Sequence, residues 1–413
     1  MIYPITPPYL FKMHDLSSRL PRGILRIISG RLIRALISLI LFQIILFSLI
    51  QALPSDIVEL RAVVGAHGEG LEEFQMLDST ESAWQQFITW VKGFYQGELG
   101  KSTSLGMPVV DILKERLPRT LLLLLPGTVA GFLLGIWLGK RIAWQRRGWL
   151  EFVATLGGTA FYTSFPPWLA FVMVNAFGLS LGWFPPEKII DPMKWFRLDV
   201  TLNEVIVKLF LTAGAAGLAY LVINWLTRGQ TRLRARLRAV GGVLIIILAV
   251  IPWMTSDYGP LAVDILYHLA LPLITLTLLS FGETMLVMRA TMVEAMEADH
   301  VPAARAKGVR DSQVRDRHVA RIAILPVLAR FVLHLPLVII GSFILERVFY
   351  WDGMGQILIQ AAIDNDLPVL IGVLSVVGVG ILLAHIIFDL LNLWLDPRQR
   401  KVEGAEVVIR GEI

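Results

Sequence analysis

The sequence contains no cysteine, and only 17% of its 413 residues are charged. Without cysteine, the chain has no disulfide, no thiolate metal ligand and no thiol nucleophile. Because soluble proteins are usually about a quarter charged, this fraction excludes an ordinary soluble enzyme. The hydrophobic content of 55% also excludes a disordered chain. The composition instead predicts an all-α, polytopic membrane protein with a modest segment outside the bilayer.

Motifs for enzyme chemistry are missing as well. The nearest match to a phosphate-binding loop, around Gly135, Gly139 and Lys140, has the wrong spacing, so this chain cannot bind ATP by that device. HExxH and GxSxG do not occur, and the seven histidines show no metal-ligand spacing. We therefore expect no catalytic residue, no metal, no resident cofactor and no nucleic-acid partner.

Apolar runs define the spans, since a helix needs about 20 apolar residues to cross the hydrocarbon core. Eight stretches qualify or nearly qualify, and they cover residues 35–53, 120–138, 152–177, 205–226, 240–254, 268–287, 322–345 and 369–394. The run 240–254 is short and by itself could be a re-entrant segment. Basic residues concentrate in alternate loops, which places both termini in the cytoplasm if there are eight spans. Six spans remain the alternative.

This topology divides the chain into five segments. They are a cytoplasmic N-terminal segment (1–34), a first membrane helix (35–53) retained as an anchor, an extracytoplasmic segment (54–118), a transmembrane domain (119–395) and a cytoplasmic tail (396–413). In the extracytoplasmic segment, aromatic and apolar residues recur at helical spacing between Trp84 and Tyr95. They predict an amphipathic helix, either at the membrane interface or as a docking surface for an external partner.

Four glycines share one face of the second predicted span. They are Gly127, Gly131, Gly135 and Gly139. Small residues at this spacing let membrane helices approach closely, and packing within the chain is favoured over a subunit interface. Charges inside the spans are few, and Glu283 is the best single candidate for a functional group. Its favoured alternative is a carboxylate that is paired or snorkels near the inner membrane face.

The predicted inner loop, about 289–321, holds the most informative sequence. An Ala-, Arg- and Lys-rich stretch ends in a glycine, and a second polar stretch leads into the next span. The residues singled out are Ala303, Ala304, Arg305, Ala306, Lys307, Gly308, His318 and Pro326. This pattern predicts a short helix ended by Gly308 and then a second helix. Such a rigid inner helix could transmit motion, and a mere connecting loop is equally compatible with the physics.

These residues resemble the EAA loop of binding-protein-dependent ABC importers, in particular the permease branch for dipeptides, oligopeptides and nickel. Pro302 stands where the general signature has a glutamate. The similarity extends to residues 31–34, 53–56, 97–102, 113–120, 343–349, 353–355 and 389–398. Residues 186–258 have no counterpart in a six-span member, and they hold an extra helical hairpin at about 205–254.

The resemblance implies a type I ABC importer transmembrane fold of about eight spans, six core helices plus the inserted pair. The chain would be a permease subunit in the plasma membrane of a prokaryote, forming the pathway for peptides or a similar small solute. Its partners would be a second permease subunit, cytoplasmic ATPase subunits that bind the ATP, an extracytoplasmic solute-binding protein and the lipid membrane. Ala303, Ala304 and Gly308 would form the docking helix, positioned by Arg305, Lys307 and His318.

Two other classes compete with this interpretation. An ion-coupled secondary transporter would need membrane-embedded carboxylates, for which Glu283 and Asp389 are the candidates. A membrane-anchored scaffold or receptor would carry no solute at all.

Overall fold

The computed structural model describes residues 22–51, 83–145, 148–196, 199–227 and 234–395. Within these ranges the regular structure is helical, apart from one isolated bridge between Lys101 and Pro108. The all-α class predicted from the sequence is therefore confirmed. The predicted tail and most of the N-terminal segment lie outside the described residues.

Helices α1 to α6 make up the first half of the chain. They are α1 (Arg22–Gln51), α2 (Ala83–Gln96), α3 (Val109–Trp144), α4 (Trp149–Thr163), α5 (Pro166–Met173) and α6 (Pro192–Trp195). Helix α2 corresponds to the predicted amphipathic segment. The π-helix Val174–Ser180 continues α5.

The second half contains α7 to α14. They are α7 (Leu202–Leu226), α8 (Arg234–Met254), α9 (Tyr258–Met296), α10 (His300–Ala306), α11 (Asp311–Gln313), α12 (Ala320–Val348), α13 (Met354–Ile363) and α14 (Leu367–Leu395). The π-helix Val314–Val319 joins α11 to α12.

Six described segments are long and apolar enough to cross a membrane. They are Val109–Trp144, Leu202–Leu226, Arg236–Met254, Tyr258–Met296, Asp311–Val348 and Leu367–Ile387. Each contains or closely matches one of the predicted spans, including the short run 240–254. The predicted first span falls in α1, where Leu36–Ser48 forms a shorter apolar stretch.

The remaining prediction, one continuous span over 152–177, is wrong. Ser164 and Phe165 both adopt extended backbone angles and separate α4 from α5. Two prolines follow directly, at Pro166 and Pro167. A proline removes a helical N–H donor and disfavours the helical conformation of the residue before it, so the chain bends here.

Helix α9 is the centre of the bundle. In the apolar 18-residue stretch of α9, 56% of the residues are buried within the chain. The corresponding share is 6% in α7 and zero in α8. Helix α9 packs against α3, α4 and α12. The glycine face of α3 lies directly on it, with Gly127 opposite Leu276, Gly131 opposite Ser280, Gly135 opposite Thr284 and Gly139 opposite Met288. The structure thus uses this face for packing within the chain.

The described residues form two compact units. One contains the described residues up to 45 and from 378 onward, and the other contains the described residues between 46 and 377. In the first unit Gly378 packs against the ring of Phe42. The sites described below all lie in the second unit.

Candidate functional site

The inner loop, defined here as residues 297–319, contains the short helix predicted from the sequence. Helix α10 spans His300–Ala306, and Lys307 closes it through hydrogen bonds from its N–H to the carbonyls of Ala303 and Arg305. Gly308 follows with a φ of 72°, in the left-handed region that only glycine adopts without strain. The predicted second polar helix is the short α11 followed by a π-helix.

Helix α10 has one buried and one exposed side. Val301 is 2% exposed and Ala304 is 7% exposed. Both belong to an apolar cluster with Met288 and Met292 of α9 and Ala143 of α3. Burying a valine side chain stabilises by about 1.5–3 kcal/mol, so these contacts attach the loop firmly to the bundle.

The opposite side of α10 is exposed among the residues that the structure describes. Its exposed residues are Pro302, Ala303, Arg305, Ala306 and Lys307. Gly308, His318 and Pro326 are also exposed, and Pro326 lies inside α12. The structure therefore presents most of the sequence-predicted site residues on the surface and turns Ala304 inward.

Charged contacts add a weaker attachment to α3. The guanidinium of Arg305 lies 5.4 Å from the ring centre of Trp144 and its Nε is 3.4 Å from Asp311. Lys140 donates from Nζ to Asp316 at 2.9 Å. Exposed ion pairs and cation–π contacts contribute roughly 0–1 kcal/mol each, less than the buried valine.

The sequence reasoning missed Val301 and the Lys140–Asp316 pair. Val301 had a usable signal, because it lies three residues before Ala304 and so shares its helix face. The Lys140–Asp316 pair had none, since the two residues are 176 positions apart.

A second group of polar residues, the outer cluster, lies at the other end of α3 and α12. It consists of Arg119, Thr120, Glu346, Trp351 and Asp352. Arg119 donates to Asp352 Oδ2 at 2.5 Å, and Trp351 Nε1 donates to the Arg119 carbonyl at 2.9 Å. The Thr120 hydroxyl accepts a hydrogen bond of 2.7 Å from the N–H of Met354, the first residue of α13.

Glu346 of the outer cluster is completely buried and caps α13. One of its oxygens accepts hydrogen bonds from the N–H groups of Gly355, at 2.6 Å, and Gln356, at 3.4 Å. The first N–H groups of a helix lack partners inside the helix, so a carboxylate at this position satisfies them. This contact gives a structural role to residues 343–349 and 353–355, two of the stretches on which the resemblance to ABC importer permeases rests.

Glu283 is paired, as its favoured alternative predicts. Its Oε1 accepts a hydrogen bond of 3.0 Å from Arg330 Nε, and its Oε2 lies 2.7 Å from His334 Nδ1. Sequence reasoning did not find either partner, because both come from α12. The described residues contain no group of three side chains that could hold a metal ion. The side chain of Asp389 lies outside the described residues.

Comparisons with known proteins agree with this architecture. Residues 225–401 match the family model of the binding-protein-dependent transport system inner membrane component. The oligopeptide transport system permease protein AppB of Bacillus subtilis is 24% identical over 356 residues, which cover 85% of this chain and 92% of that protein.

Two further relatives are similar over most of their length. A putative peptide transport system permease protein of Brucella abortus (strain 2308) is 27% identical over 376 residues, 91% of this chain and 98% of the relative. The peptide transport system permease protein SapB of Salmonella typhimurium is 24% identical over 322 residues, 78% of this chain and 86% of the relative.

The long apolar helices and these relatives together define a multi-pass membrane protein of the transport permease class, and not an enzyme. Within that class, the chain is the permease subunit of an ABC importer, and its residues 225–401 are similar to the inner membrane components of binding-protein-dependent transport systems. The predicted class, an ABC importer permease, is confirmed, and an ion-coupled secondary transporter is not favoured.

Proposed function

We propose that this permease carries peptides, or a similar small solute, through the plasma membrane of a prokaryote. The three relatives described above are named as peptide or oligopeptide permeases, which supports this substrate class. ATP would be bound by partner subunits, since this sequence has no phosphate-binding loop.

The two-sided geometry of α10 is the observation that carries the coupling role. Val301 and Ala304 attach the helix to α9 and α3, whereas Ala303 and Ala306 are exposed. Small exposed side chains let a helix enter a groove of a partner closely. A force that an ATPase subunit applies to α10 would therefore reach the membrane helices through the buried side.

The distribution of basic residues supports an orientation with the inner loop in the cytoplasm. Basic residues concentrate in the inner loop, and the positive-inside rule places such loops in the cytoplasm. Both termini would then be cytoplasmic, and the outer cluster would face the side where a solute-binding protein delivers its cargo. A second permease subunit would complete the translocation pathway.

Copurification in mild detergent tests the coupling role. A tryptophan in place of Ala303 fills the exposed side of α10 without touching the buried side, so we expect Ala303→Trp to lose the ATPase subunits and keep the second permease subunit. Ala362→Trp is the matched control, because Ala362 is an exposed alanine of α13, at the other end of the bundle. It should retain the ATPase subunits.

Two results would contradict the proposal. Retention of the ATPase subunits by Ala303→Trp would show that α10 is not the docking helix. If no ATPase subunit copurifies with the unaltered chain, the proposed ATP-driven mechanism is wrong and an ion-driven mechanism becomes the alternative.

A further inference from the structure

Helix α12 leaves one side uncovered along most of its length. The exposed residues recur at intervals of three or four and therefore share a face, called here the α12 face. They are Ile322, Pro326, Arg330, Leu333, Leu337 and Ile340. Arg330 is the charged member, and its side chain is 62% exposed. It lies roughly 15 Å from the start of α12, at about 1.5 Å per residue, within the helix segment that is long and apolar enough to cross a membrane.

An exposed arginine at this depth is informative about what covers the α12 face. A charge placed against lipid at the bilayer centre costs about 2.5–3.5 kcal/mol on insertion scales, and such residues therefore face a protein interior or a water-filled cavity. The hairpin helix α8 shows the opposite pattern, because residues 239–254 contain no charged side chain. Helix α8 is thus suited to lipid, whereas the part of the α12 face around Arg330 is suited to a protein interior or a water-filled pathway.

Arg330 is oriented by its neighbours and still has binding capacity. Glu283 accepts from its Nε, and the other Glu283 oxygen is occupied by His334. Within the described part of the chain, the two terminal nitrogens of Arg330 have no hydrogen-bond partner. The three side chains line a small, water-sized recess between α9 and α12 together with Ser280, Thr284 and Phe331.

The free edge of a guanidinium matches a planar carboxylate. Its parallel N–H groups form two hydrogen bonds to the two carboxylate oxygens, and such charge-assisted pairs are stronger than neutral ones. The terminal carboxylate of a peptide has the charge and the shape that this edge recognises.

We propose that Arg330, held by Glu283 and His334, is an intramembrane binding point for the terminal carboxylate of the peptide as it passes along the α12 face. The proposal rests on the peptide function proposed above and adds the group of the substrate that the pathway recognises.

Uptake of a matched pair of peptides tests the contact directly. The complete transporter with its binding protein is reconstituted in vesicles, and uptake of a peptide with a free carboxyl terminus is compared with that of the same peptide as its amide. We expect Arg330→Gln to lower the ratio of free-acid to amide uptake by roughly tenfold, the effect of losing a charged hydrogen bond. Arg330→Lys should keep part of the preference.

Two variants separate recognition from folding. The double variant Glu283→Gln, Arg330→Gln leaves no unpaired carboxylate, and it should lose the preference as the single variant does. Arg289→Gln is the matched control, since Arg289 pairs with Glu151 away from the α12 face and donates from Nε at 3.0 Å. It should change the uptake of both peptides equally.

The results distinguish this proposal from the one on which it rests. If the wild-type transporter takes up neither peptide, the peptide function itself is wrong. If it takes up both, and the ratio is the same in wild type and Arg330→Gln, the peptide function stands and the carboxylate contact is overturned.

Cysteine accessibility gives a second test that does not need Arg330 to be altered. The chain has no native cysteine, so single cysteines report without background. Leu333→Cys and Leu337→Cys on the α12 face should react with a membrane-impermeant thiol reagent, and peptide should slow the reaction. Leu218→Cys and Leu248→Cys, exposed on α7 and α8, should not react. Equal reactivity at all four positions would overturn the assignment of this face to the pathway.

Discussion

Val301 contributes more to the position of the inner loop than any charged residue near it. It is almost completely buried among methionines of α9, whereas the ion pairs of Arg305 and Asp316 are partly exposed. At the scale of single residues, Val301 therefore attaches α10 to the bundle, and the exposed Ala303 is left for the docking role proposed above.

Limited proteolysis can separate these two functions. In Val301→Asp, a buried charge without a partner should release α10 from the bundle, because burying an unpaired charge is costly. Trypsin should then cut within the basic stretch 305–317 several times faster than in the unaltered chain. Ala303→Asp places the same charge on the exposed side and should leave the cleavage rate unchanged. Equal cleavage of both variants would contradict the two-sided account of α10.

Asp366 provides a pH-dependent contact outside the membrane spans. Burial by itself would raise the pKa of Asp366, but hydrogen bonds from the hydroxyl of Ser102, at 2.5 Å, and the hydroxyl of Ser104, at 2.7 Å, outweigh it and lower the pKa. A carboxyl with a lowered pKa stabilises the folded state above its ordinary value of 3.8 and loses this contribution as the pH falls through its lower folded value.

The lowered pKa of Asp366 determines how the difference in melting temperature between wild type and Asp366→Asn depends on pH. We expect the wild type to melt higher, with a constant difference from pH 7 to pH 5 and a smaller one only below about pH 3.8. Thermal unfolding in detergent, followed as a function of pH, measures the melting temperatures of the two proteins. A difference that already shrinks between pH 7 and pH 5 would show that the pKa of Asp366 is not lowered.

At the scale of elements, the contact between α3 and α9 depends on glycine. A β-carbon at Gly131 would collide with Ser280, and one at Gly135 would collide with the backbone of Phe281. We expect Gly131→Ala to destabilise the bundle by about 1–3 kcal/mol, the usual cost of overpacking.

Gly214→Ala is the control for this substitution. Gly214 lies inside α7, and no atom would lie within 4 Å of an added β-carbon. Alanine is the better helix former, so this variant should be neutral or slightly more stable. The melting temperatures of Gly131→Ala and Gly214→Ala are compared in detergent. An equal change in both variants would contradict close packing at Gly131.

Sequence patterns were sufficient for the elements with a strong local signal. Run length identified the six long apolar helices, and the step of four identified the glycine face. Gly308 was predictable because a helix stop has its own local chemistry. The break at Ser164 was missed since apolar composition continues through it, although Pro166 and Pro167 mark it.

Contacts between distant elements were not predictable in the same way. Glu283 meets Arg330 only because α9 and α12 pack side by side, and Glu346 meets Gly355 only because the chain turns back at Gly353. No local pattern encodes such pairs, so the sequence indicated Glu283 as a candidate without indicating its partners.

At the scale of the whole molecule, α3 and α12 connect two polar regions. Each helix contributes to the outer cluster at one end, through Arg119 and Glu346, and contacts the inner loop at the other, through Lys140 and Ala323. A displacement of α10 would therefore be transmitted along these helices toward the outer cluster, which is the behaviour that the proposed coupling requires.

The most direct test of this account is ATP-dependent uptake of a labelled peptide by vesicles that contain the complete transporter, with the unaltered chain or Ala303→Trp. The account predicts uptake that requires ATP and the binding protein, that persists when ion gradients are dissipated, and that falls to background in Ala303→Trp. Uptake that continues without ATP and stops when the ion gradient is removed would contradict it.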